Sequence, residues 1–191
     1  MTSEDRTRCF IAIPLSETVR EKVREAITTI RKDFFPGAKW IKTENLHITL
    51  KFLGDIMKED VSCICDRLQL IADKFEPYEL EMGTLGAFPR KNRPRVIWFG
   101  TRNPPGNHIE LVNKVEDEML DEGFPREKKS GTPHISIARI KHRNPVKWPH
   151  EEFFVNLFDI IPVLCVNKIV LFKSTLSPHG AEYSSIAEFN L

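Results

Sequence analysis

A histidine-led tetrapeptide occurs twice in this chain, as His47-Ile48-Thr49-Leu50 and as His134-Ile135-Ser136-Ile137. The two copies lie almost half the chain apart. Each alternates polar and apolar residues with a period of two, which is the pattern of a half-buried strand. Ile48 and Leu50 share one face, and His47 and Thr49 the other. Ile135 and Ile137 stand in the same relation to His134 and Ser136. Either copy alone reads as an ordinary strand with one face in a core. The repetition, with matched apolar and hydroxyl positions, points further. Two such strands side by side would set two imidazoles and two hydroxyls into one cleft.

That set of groups suits hydrolysis of a phosphate ester. Imidazole titrates near neutral pH, so one ring can give a proton while the other takes one. Hydroxyls donate hydrogen bonds to non-bridging phosphate oxygens. By strand parity Lys51, four residues after His47, shares the cleft face and would add positive charge.

Elsewhere the pattern is strand, helix, strands, helix, strands, helix, strands, an α+β order. Arg8 to Ile13 is an apolar strand ended by Pro14. Ser16 caps a helix whose stripe of Val19, Val23, Ala26, Ile27 and Ile30 runs to about Asp33. A short strand over Lys39 to Lys42 and the first motif strand, Leu46 to Leu53, ended by Gly54-Asp55, come next. Helical spacing covers Met57 to about Phe75, and Tyr78 to Met82 alternates as a strand. Gly86, Pro89, Asn92 and Pro94 make Leu85 to Pro94 a loop, holding the basic cluster Arg90, Lys91, Arg93 and Arg95. Val96 to Gly100 is an apolar strand. Asn107 opens a third helix running to about Glu122, followed by a charged loop, Phe124 to Gly131. The second motif strand, Pro133 to Ile140, ends at Lys141-His142-Arg143-Asn144-Pro145. A short helix over Glu151 to Phe158 precedes strands at Pro162 to Val166, Lys168 to Ser174 and Tyr183 to Phe189.

The net charge of +1 argues against a broad nucleic-acid coat, so any RNA must be held by local basic groups. No apolar run of about 18 residues is present, so no membrane span is expected. The acidic N-terminus lacks the apolar segment of a signal peptide, and the expected location is the cytoplasm. Cys9, Cys63, Cys65 and Cys165 lack zinc-pair spacing and read as reduced, buried thiols. No metal site and no cofactor are expected, and nothing demands more than a monomer.

The sequence resembles the two-histidine (2H) phosphoesterase superfamily, in particular the RNA 2′,3′-cyclic phosphodiesterases also called 2′-5′ RNA ligases. The resemblance runs through Cys9-Phe10-Ile11-Ala12-Ile13, Trp40-Ile41-Lys42, the stretch from His47 to Gly54, Phe88-Pro89 and Arg93 to Trp98. It continues through Pro133 to Arg139, Lys173-Ser174-Thr175-Leu176 and Gly180-Ala181-Glu182-Tyr183. Ser136 stands where the family usually has threonine and keeps the hydroxyl. The resemblance implies that residues 1–191 form one bilobal domain, two similar lobes of mainly antiparallel sheet with outer helices around a central cleft, one motif from each lobe. It implies that His47 is the proton donor and His134 the proton acceptor; the residues alone leave the two roles open. Thr49 and Ser136 would bind the phosphate. It also gives Arg139 a phosphate or RNA contact, although strict alternation turns Arg139 away, so a bulge is required.

The implied reaction is metal-independent hydrolysis of a 2′,3′-cyclic phosphate RNA end to a 2′-phosphate, with tRNA fragments among the candidate substrates. Reversible 2′-5′ ligation uses the same site. A non-catalytic RNA- or nucleotide-binding domain and a histidine metal hydrolase are the readings from other classes. Phe88, Trp98 and Tyr183 are candidates for base stacking or core. His108, His142, His150 and His179 read as surface residues, and the resemblance of its loop to the family implies a place near the site for His179.

Overall fold

The computed structural model describes residues 5–127, 132–140, 148–178 and 180–191. Its main feature is one antiparallel sheet built from two half-sheets that meet at a single residue pair. The first half contains β1 (Arg6–Pro14), β3 (His47–Met57), β9 (Lys168–Ser177) and β10 (Gly180–Asn190). The second contains β2 (Ala38–Trp40), β5 (Thr84–Phe88), β6 (Val96–Gly100) and β7 (His134–Ile140). The strand order is β10-β9-β1-β3-β7-β6-β5, with β2 also on β7. The halves join where Ile48 pairs with Ile135. Beyond that point β3 leaves β7, and β2 takes up pairing along Ala138 to Ile140.

Both halves repeat one unit: a strand, a helix, and the motif strand laid antiparallel on the first. In one half β1, α1 (Glu17–Asp33) and β3 form it; in the other, β6, α3 (Gly106–Asp121) and β7. Ser16 caps α1 as its residue type suggests, with Oγ accepting from Val19 N at 3.4 Å. Val23, Ala26 and Ile30 of α1 and Leu111, Val115 and Met119 of α3 are fully buried, with the 3- and 4-residue steps of an amphipathic helix. The segments after the motif strands, α2 (Asp60–Ala72) with β4 (Tyr78–Leu80) and α4 (Glu151–Asp159) with β8 (Leu164–Val166), meet as a two-stranded sheet, β4 on β8.

The motif strands share a second feature. In each, one residue is extra to the ladder. Ala12 pairs with Thr49 but Ile11 with Lys51, leaving Leu50 over. Trp98 pairs with Ser136 but Ile97 with Ala138, leaving Ile137 over. Such a bulge reverses the alternation beyond it. From the histidine onward both strands therefore share one burial sequence: the fourth and fifth residues are both buried, and the sixth is exposed.

This corrects the expectation for Lys51. Parity was to place it in the cleft; the bulge turns it into the core, where it is 0% exposed. Its Nζ donates to Glu116 Oε2 at 2.5 Å and to the Pro125 carbonyl at 3.0 Å. The same displacement brings Arg139 to the cleft side, and the position matching it on β3 is the exposed Phe52.

Other differences also have physical causes. Thr84–Phe88 is a strand on β6, not the start of a loop. Gly86, which reads as a breaker, faces Trp98, whose ring would lie 2.0 Å from a Cβ at that position. The glycine is there for the indole. The first motif strand continues past Gly54 to Met57, because Gly54 takes φ of +77° at a second register shift. Asn107 does not cap α3; its Oδ1 accepts from the neighbouring His108 N, and Pro105 precedes the first turn. His108 is not a surface residue: it is 2% exposed and shares a 2.7 Å hydrogen bond with the Tyr78 hydroxyl. His150 is exposed. All four cysteines are free, but Cys63 and Cys165 are exposed rather than buried. His142, His179 and the stretch Lys141 to Pro145 lie outside the described residues.

Removing one member of the Lys51–Glu116 pair strands the other in the core. Lys51→Ala is expected to lose about 3–5 kcal/mol of unfolding free energy, while Lys51→Met with Glu116→Leu recovers most of that loss, as measured by urea denaturation.

Candidate active site

The pairing of Ile48 with Ile135 sends both side chains to the core, where each is 0% exposed. Residues on either side of this pair must then point to the opposite face. They are His47 and Thr49 on β3, and His134 and Ser136 on β7. In an antiparallel register, His47 stands across from Ser136 and Thr49 across from His134. The two histidines are diagonal neighbours, a relation in which residues lie about 7–8 Å apart and their Cβ atoms somewhat closer.

Each imidazole is oriented in the same way. His47 Nδ1 donates to the Asn45 carbonyl at 2.8 Å, and His134 Nδ1 to the Thr132 carbonyl at 2.9 Å. A carbonyl only accepts, so the proton is fixed on Nδ1 and Nε2 is the working nitrogen of each neutral ring. Thr49 Oγ1 lies 3.1 Å from His47 Nε2. The acceptor carbonyl sits two residues before each histidine. On the first strand it belongs to a single 3-10 turn, Thr43–Asn45.

Aromatic rings wall both imidazoles. Phe10 and Tyr183 lie 4.8 and 5.4 Å from the His47 ring, and Phe88 and Trp98 lie 5.0 and 5.7 Å from that of His134. This apolar surround opposes charge on the rings. Burial depresses the His47 pKa to about 4, against the pull of the Asn45 carbonyl and with help from His134 and Arg139. Burial also lowers that of His134, offset by its bond to Thr132 and by the Glu127 carboxylate.

Thr49, Phe52, Phe88, His134, Ser136 and Arg139 line one cavity of about 590 Å³. His47 and Tyr183 line a second cavity of about 510 Å³, which shares no lining residue with the first. The contact of Thr49 Oγ1 with His47 Nε2 ties His47 to a residue that lines the first cavity. The structure thus gathers His47, Thr49, His134, Ser136 and Arg139 at one place and leaves Lys51 behind it. The basic residues Arg90, Lys91, Arg93 and Arg95 are exposed on the segment between β5 and β6, with Lys91 Nζ 5.2 Å from the Trp148 ring.

Some contributors have no signature in the motifs. Glu127 is placed by a chain of contacts: Lys51 holds Glu116, whose Oε2 accepts from Glu127 N at 3.4 Å. Asn45 and Thr132 act through backbone carbonyls, which any residue supplies; only their shared place two before each histidine could have marked them. Among the described residues, no group of three or more His, Cys, Asp or Glu is arranged to hold a metal, and no helix is long and apolar enough to cross a membrane.

Burial of neutral histidine links stability to acid. His108, like His47, has its pKa lowered to about 4 by burial, against the 6.5 of an exposed imidazole. The native state resists the proton that the unfolded chain accepts, so stability is full above pH 6.5 and drains away as pH falls toward 4. His108 alone accounts for about 3 kcal/mol of this loss. Denaturant titrations across that range are expected to show a shallower pH slope for His108→Gln than for the wild type.

Residues 13–98 match the family model described as LigT like Phosphoesterase. An RNA 2′,3′-cyclic phosphodiesterase of Thermotoga maritima is 34% identical over 95% of this chain and 94% of its own. A crystal structure from Thermus thermophilus superposes with a TM-score of 0.77 at 26% identity, covering 96% of this chain and 97% of that one. Escherichia coli LigT complexed with 3′-AMP gives a TM-score of 0.71 at 25% identity over 98% of both chains. With two imidazoles diagonal across one ladder pair, and likeness over nearly its whole length, the chain belongs to the LigT-like phosphoesterase family.

Proposed function

We propose that this protein hydrolyses 2′,3′-cyclic phosphate ends of RNA to 2′-phosphates, with His47 as general acid and His134 as general base. The observation that carries this reading is the diagonal placement of two imidazoles, each with Nδ1 tied to a carbonyl and Nε2 free for proton transfer. The relatives named for this reaction and the 3′-AMP held by Escherichia coli LigT support the substrate class.

The phosphate lies between the two rings. Water attacks phosphorus as His134 Nε2 takes its proton. The bond from phosphorus to O3′ breaks on the opposite side, and O3′ receives a proton from His47 Nε2. The 2′-phosphate and a free 3′-hydroxyl remain. Thr49 and Ser136 hydroxyls, on the same face, donate to the non-bridging oxygens. Arg139 adds charge to the same anion. His47 must be protonated to act, and its low pKa in the empty site opposes this. The bound phosphate supplies the opposite charge that raises it. The strained ring and two proton transfers ask for no metal. The chain acts as a single bilobal monomer in the cytoplasm, where free thiols persist. RNA ends such as those of cleaved tRNA have the required chemistry.

An oligonucleotide ending in a 2′,3′-cyclic phosphate, incubated with protein in EDTA, is expected to yield only the 2′-phosphate. His47→Ala and His134→Ala should each lower kcat by roughly 10²–10⁴-fold. A phosphodiester with an aryloxide leaving group needs no acid. It should therefore restore much of the rate to His47→Ala and little to His134→Ala. The opposite pattern reverses the two roles, and full activity in both variants overturns the reading.

A further inference from the structure

Beside the reaction site lies a smaller cavity of about 140 Å³, lined by Lys39, Trp40, Lys42, Asn45, Arg139 and Tyr183 among others. None of its lining residues is acidic. Lys39 and Arg139 are direct partners in the ladder of β2 on β7. Like charges directly opposite across a strand pair repel and destabilise it. Here both line the same cavity, and both are exposed. Lys42 adds a third cation, whose nearest carboxylate, Glu44, is 3.9 Å away at the far edge of an ion pair. Three cations turned into one hollow without a carboxylate make a site for an anion.

Its position selects the anion. Arg139 also lines the cavity of His134 and Ser136, so one guanidinium borders both spaces. Asn45, which lines the small cavity, carries the carbonyl that orients His47, and its Nδ2 donates to the Ala181 carbonyl at 2.7 Å. Tyr183 spans from this cavity to the His47 ring, 5.4 Å away. The half-buried rings of Trp40 and Tyr183 offer apolar surface beside the charges, the pairing of backbone and base contacts that single-stranded nucleic acid uses.

We infer that this cavity binds the phosphodiester immediately upstream of the cyclic end, through Lys39 and Lys42 with Arg139, and so makes the protein prefer a polynucleotide end to a cyclic mononucleotide. The inference rests on the proposed hydrolysis and adds to it a second phosphate subsite that measures chain continuity.

The test compares kcat/KM for a 2′,3′-cyclic mononucleotide, a dinucleotide ending in the same cyclic nucleotide, and that dinucleotide with an uncharged methylphosphonate linkage. The wild-type protein should prefer the charged dinucleotide. In Lys39→Ser/Lys42→Ser the ratio of dinucleotide to mononucleotide should fall about tenfold. The methylphosphonate should cost the wild type a similar factor and the variant little. The slope of log(kcat/KM) against log salt for the dinucleotide should flatten by about 0.7 in the variant. An unchanged ratio in the variant, or equal wild-type rates on charged and uncharged linkages, overturns the subsite while leaving the hydrolysis intact. A wild-type protein that turns over none of the three overturns the functional reading, and this inference with it.

Discussion

The pairing of one isoleucine with another, Ile48 with Ile135, is the constraint on which the site depends. Both side chains are driven into the core by the cost of leaving them in water, about 25 cal/mol per Å² of apolar surface. Burying them together forces four flanking polar residues onto the other face. No separate device is needed to aim His47 at His134. The hydrophobic effect fixes the register, and the register fixes the chemistry.

The bulge after each histidine divides shared geometry from differing content within this chain. Up to the fourth residue, both strands present the same kinds of groups. Beyond the extra residue, the fifth position enters the core and the sixth enters the cleft. On β7 these are Ala138 and Arg139; on β3, Lys51 and Phe52. A near-symmetric frame thereby becomes a site with a cation on one side and an aromatic ring on the other. The buried Lys51 is drawn against Glu116, and through it holds the segment bearing Glu127 near His134. One of the charges that act on His134 is thus carried by a segment tied to the frame beneath it.

Much of this was legible in the sequence because it follows local periodicity. The α+β order, the amphipathic helices and the two motif strands all come from apolar spacing that burial enforces. The repetition of the tetrapeptide pointed to one shared cleft, and the ladder brings the two together. What escaped was non-local. Strand parity puts Lys51 on the wrong face because a bulge depends on the partner strand, and no residue within Leu50-Lys51 announces it. Arg139 carried the opposite error of parity, and the same kind of bulge resolves it. Gly86 reads as a turn former unless Trp98, twelve positions on, is known to lie against it. His108 follows a proline–glycine breaker and looks solvated until Tyr78 arrives from another element. The aromatic walls combine residues from β1, β5, β6 and β10, which only the folded sheet makes neighbours.

The small ladder of β4 on β8 joins the two segments that leave the motif strands, and β2, which leads into β3, is stitched to β7. The half-sheets are thus fastened at several separate points, and parting them would break all of these seams together. The relative aim of the two imidazoles is therefore settled when the chain folds, because the ladder pair that sets it is also part of the core.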